Sequence, residues 1–103
     1  MVTMIEIKGK TIIYTLPNNT VLGQVSPFLF IEKLEDEIAL IWPQLRVNKV
    51  FASRKEHYHQ IYCVLPVDYT TEQIRLIKVQ IELIAASLLA DLQKKIYFAS
   101  LAS

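Results

Sequence analysis

Glycine is scarce, cysteine occurs once, and no apolar run is long. With 2 glycines and 4 prolines in 103 residues, the composition argues against a disordered chain. Gly9 and Gly23 stand far apart, so no glycine-rich phosphate loop exists. No serine nucleophile elbow is present either. The lone Cys63 cannot form an internal disulfide and fits a reducing compartment. A formal net charge of +1 argues against a protein that grips nucleic acid mainly by electrostatics. No window approaches the roughly 20 apolar residues of a membrane-spanning helix. The richest stretch, "IELIAASLLADL", carries Glu82 and Asp91. The opening "MVTMIEIKGK" has no basic segment followed by a long apolar run, as a secretion signal would. The expectation is a cytoplasmic protein with no membrane contact and no cofactor.

What the chain does have is a high apolar content, 52%. Its length suits one domain spanning residues 1–103. A domain of this size leaves much of its surface exposed. So many apolar residues therefore suggest that a second chain covers part of that surface.

"MIEIKGKTIIYTLP" reads as a hairpin of strand-favouring residues around Lys8-Gly9-Lys10, closed by Pro17. Ile12 and Ile13 are adjacent, and strict alternation lets only one of them point inward. The period then changes. Ser26 is a candidate N-cap and Pro27 suits a first helical turn. Phe28, Ile31, Leu34, Ile38 and Ile41 recur at three- and four-residue steps, opposite Glu32, Lys33, Glu35, Asp36 and Glu37. Pro43 disfavours helical geometry at Trp42 and ends the helix there. "QLRVNKVFASRKEHYHQIYCVLPV" reads as a second hairpin turning near Arg54-Lys55-Glu56. Thr70 or Thr71 can cap a final long helix. The order ββαββα predicts an α+β fold with the helices on one face of an antiparallel sheet. The Leu-Pro shared by "YTLPNNT" and "CVLPVDYT" raises the idea of a duplicated ββα unit.

Placing the last helix at about 100° per residue gives two apolar sides rather than one. One holds Ile74, Ile77, Ile81, Ile84, Ala85, Leu88, Leu92 and Ile96; the opposite one holds Leu76, Val79, Leu83, Ala86, Ala90 and Tyr97. Packing against a sheet needs only the first. Two-fold homodimers are the commonest assemblies. The second side, through Leu76, Val79, Leu83, Ala86 and Ala90, is therefore expected to form a homodimer interface unless the first helix covers it.

The octet "EHYHQIYC" gathers the residues able to do chemistry. His57 and His59 share one face of a strand and could together supply two metal ligands, fewer than catalytic zinc takes from protein. Cys63 lies four residues beyond His59, about 13 Å along a strand, too far for one metal shell or a nucleophile pair. The expectation is no metal site and no catalysis. The hairpin tip, with Arg54, Lys55, His57, Tyr58 and His59, is the expected meeting place for a protein partner. Arg46, Lys49, Arg54 and Lys55 interleave with Phe51, Tyr58 and Tyr62, which raises the alternative of a nucleic-acid-binding dimer using residues 46–62. The reading favoured is a small non-catalytic module that self-associates.

Overall fold

The computed structural model describes residues 4–17, 20, 22–53 and 57–102, and only the backbone of residues 4, 51–53, 57 and 102. Its elements are β1 (Met4–Lys8), β2 (Thr11–Pro17), α1 (Pro27–Ile41), β3 (Arg46–Ser53), β4 (His57–Val64) and α2 (Thr71–Ala102). This is the expected ββαββα order, with one four-stranded antiparallel sheet and a long final helix. Lys8 pairs with Thr11, so Gly9 and Lys10 form a two-residue loop. Gly9 takes φ 59°, a conformation open to glycine at the first position of such a hairpin turn.

The strands lie in the order β1-β2-β4-β3. The two hairpins join through their second strands, Ile12 opposite Cys63 and Tyr14 opposite Ile61. Each helix then reaches across: α1 packs on β3 and β4, α2 packs on β1, and the two helices touch. Between this helical layer and the sheet lies the core. Ile12, Tyr14 and Leu16 of β2, Ile61 and Cys63 of β4, Phe30, Ile31, Leu34 and Ile38 of α1, and Ile74, Ile77, Ile81, Ala85 and Leu92 of α2 are all buried in it.

One local expectation is met, since only one of two adjacent isoleucines points into the core, and two need correction. Ile12 and Ile13 are both buried. Ile12 enters the core, while Ile13 lies on the helix-free face between Glu6 and Tyr62, on a central strand flanked from both sides. In α1, Phe30 takes the core position, and Phe28 and Ile41 at the two ends of the helix are exposed. Ser26 is the N-cap residue, but its hydroxyl makes no cap hydrogen bond. α2 is better closed. The Gln73 N–H donates to Thr70 Oγ1 at 3.1 Å and the Thr70 N–H donates to Gln73 Oε1 at 2.8 Å, a reciprocal capping box. Its 32 residues extend about 48 Å at 1.5 Å per residue, close to the molecule's longest dimension of 51 Å.

Candidate interaction surface

α2 divides its apolar residues as its periodicity requires. Ile81 on the inner side is 0% exposed, whereas Leu83, two residues on, is 66% exposed. Leu76, Val79, Ala86, Ala90 and Tyr97 share the exposed side. α1 runs alongside α2 without covering that side. The far end of α2 adds Phe98 and Leu101, both well exposed, with the Tyr97 and Phe98 rings edge-on at 5.7 Å. Leu101 stands eighteen residues after Leu83, five full turns at 3.6 residues each. Continuing the wheel past Tyr97 places it on the same side.

The end of α1 enlarges this surface in a way its spacing did not announce. Leu40 is 79% exposed and Ile41 is exposed beside it. Ile41 and half-buried Trp42 form, with Gln80, Leu83 and Ile84, a recess of about 320 Å³ between the helices. A second recess of about 310 Å³, lined by Glu37, Ser87, Leu88 and Asp91, adjoins it through Leu83 and Ile84. The inter-helix groove is thus apolar at one end and acidic at the other.

The histidine-cysteine octet is split by the pleat of β4. His59, Ile61 and Cys63 face the helices; Tyr58, Gln60, Tyr62 and Val64 face the other way. Ile61 stands between His59 and Cys63, so the two are not brought together. Burial pushes the Cys63 thiol up to about 12, assisted by the nearby Glu35 carboxylate. At neutral pH it is a protonated, poorly reactive thiol. His59 is buried beneath the exposed Phe28 ring, which meets it edge-on with centroids 4.5 Å apart. Burial, and secondarily the Lys49 ammonium, lowers the His59 pKa below its ordinary value. Arg54, Lys55 and Glu56 of the expected hairpin tip, and the side chain of His57, lie outside the described residues. Among the described residues, no three of His, Cys, Asp and Glu gather closely enough to hold a metal ion.

The helix-free face of the sheet is polar and aromatic. Gln60 Nε2 donates to Thr15 Oγ1 at 3.1 Å, and the Tyr62 hydroxyl donates to Gln60 Oε1 at 2.9 Å. Arg46 shares this face with Tyr58 and Tyr62, but Lys49 pairs with Ile61 and so lies on the helix-covered side. Arg46, Lys49, Tyr58 and Tyr62 are thereby distributed over both faces. No helix among the described residues is long and apolar enough to cross a membrane. No protein-family model, curated protein or solved structure matches the chain.

Proposed function

We propose that this chain is a cytoplasmic, non-catalytic interaction module that works as a homodimer through the outer side of α2. The observation that carries the reading is the exposed stripe Leu76, Val79, Leu83, Ala86 and Ala90, turned away from the core along residues 76–90 of a 32-residue helix. Contiguous apolar surfaces of this kind are interaction sites. A two-fold partner supplies the same surface in return. Ala86 and Ala90, one turn apart, let two helices approach closely. The non-catalytic part is supported by the state of the chemical groups. Cys63 is buried and protonated, and His59 is buried apart from it.

Light scattering on the purified chain at micromolar concentration tests the reading. A mass of twice 11.9 kDa is expected, and a monomer overturns it. The alternative, a nucleic-acid-binding dimer, draws on Tyr58, Tyr62 and Arg46 sharing the open face of the sheet. It has the weaker support, because Lys49 is on the other face. Retention of a short oligonucleotide that declines with added salt would favour it.

A further inference from the structure

We propose that the groove between α1 and α2 is filled by residues 94–101 of α2 from a second copy, so that the two α2 helices pair antiparallel and cross near Ala90. This rests on the dimer reading and fixes its geometry. The argument is one of order along the helix. From residue 80 towards residue 91, the groove passes from apolar (Ile41, Trp42, Leu83, Ile84) to acidic (Glu37, Asp91). From residue 94 onwards, α2 passes from cationic Lys94 to apolar Phe98 and Leu101, all three exposed. Laid antiparallel, the two sequences match at both ends. Lys94 comes to the acidic end of the partner's groove, and Phe98 and Leu101 come to its apolar end. Oppositely charged and apolar groups then meet their counterparts, as complementary interfaces require.

The sides match as well as the order. About a two-fold axis perpendicular to paired helices, a residue displaced to one side of the contact line meets partner residues displaced to that same side. At about 100° per residue, Phe98 falls on the flank of Gln80, Ser87 and Asp91, which is the flank that α1 borders. Phe98 is therefore directed to the groove, and 63% of it is exposed in the single chain. Midway between Leu83 and Phe98 lies Ala90, a small residue where the helices cross. Symmetry makes every such contact twice. A parallel pair would instead set Leu83 against Leu83 and Lys94 against Lys94, leaving both grooves empty and two cations opposed.

Full-length chains carrying Leu83→Cys or Phe98→Cys, with different tags, are to be mixed, equilibrated and oxidised. Both positions are exposed, so the fold is expected to survive, and circular dichroism checks it. A disulfide needs Cα atoms within about 4.4–6.8 Å, and buried Cys63 stays out of the reaction. Disulfides joining a Leu83→Cys chain to a Phe98→Cys chain are expected to exceed those between identical chains at least tenfold. An intact dimer that links Leu83→Cys to itself, or forms no link, overturns the antiparallel register and leaves the dimer standing. A monomer in light scattering overturns the dimer reading itself.

Discussion

α1 and α2 lie in one layer against the same sheet, yet their outward sides are opposites. α1 shows Glu32, Lys33, Asp36 and Glu37 to the surroundings, and α2 shows Leu76, Val79, Leu83, Ala86 and Ala90. Their inward sides are alike, both built from isoleucine and leucine closed on the core. The inner stripe of a helix reports the fold it belongs to. Its outer side reports what it meets. Water suffices for the charged outside of α1 over residues 32–37; apolar side chains lie exposed at the two ends of α1 and along the outside of α2.

The comparison is broken most sharply within α2 itself, by two neighbours on opposite sides. Ile81→Ala is expected to cost about 2–5 kcal/mol of folding stability, as buried truncations do. Leu83→Ala is expected to change monomer stability by less than about 0.5 kcal/mol while weakening self-association. Denaturant unfolding at concentrations too low for dimer, beside light scattering at higher ones, separates the two effects. Equal losses of stability would mean that the chain itself shelters Leu83.

A smaller difference is expected at the helix starts. Thr70→Ala removes the hydroxyl that accepts the Gln73 N–H and should cost about 1 kcal/mol. Ser26→Ala removes a hydroxyl that makes no cap bond and should cost less. Thermal unfolding of the two variants side by side checks the ranking.

The least effect is expected from mild acid, at the point where α1 meets the sheet. The folded His59 pKa is depressed below its ordinary 6.5, so on acidification the unfolded chain takes up this proton first. The contribution is fully present above about pH 6.5 and is lost as pH falls through the folded value. Unfolding midpoints followed from about pH 7 to pH 5 should decline, and His59→Leu should remove that part of the slope. A flat profile in the parent chain would show that His59 is as free to charge when folded as when unfolded.

Periodicity made much of this architecture legible. The change from period two to period 3.6 near Pro27 marks α1, and the alternation of "HYHQIYC" correctly divides His59 and Cys63 from Tyr58 and Tyr62. The two-sidedness of α2 was equally plain. Within "FLFI", by contrast, four consecutive apolar residues offer several stripes. Only the position of the sheet decides that Phe30 enters the core while Phe28 lies over His59. Alternation also sends only Ile12 into the core, while the burial of Ile13 on the helix-free face comes from neighbours on β1 and β4 that its own strand does not reveal. The order β1-β2-β4-β3 has no local signal at all. The inter-helix groove was hidden too, because it forms where Ile41 and Trp42 come against Gln80, Leu83 and Ile84, residues about forty positions away.

The crossing of the helices over the central strand pair bears on how the molecule comes apart. α1 rests on the hairpin that follows it, and α2 reaches back to the first strand. Neither ββα half carries its own floor, so each is a lid without a box until the other arrives. Cutting the backbone between α1 and β3 should yield two fragments that are unstructured when separate and regain order only on being recombined.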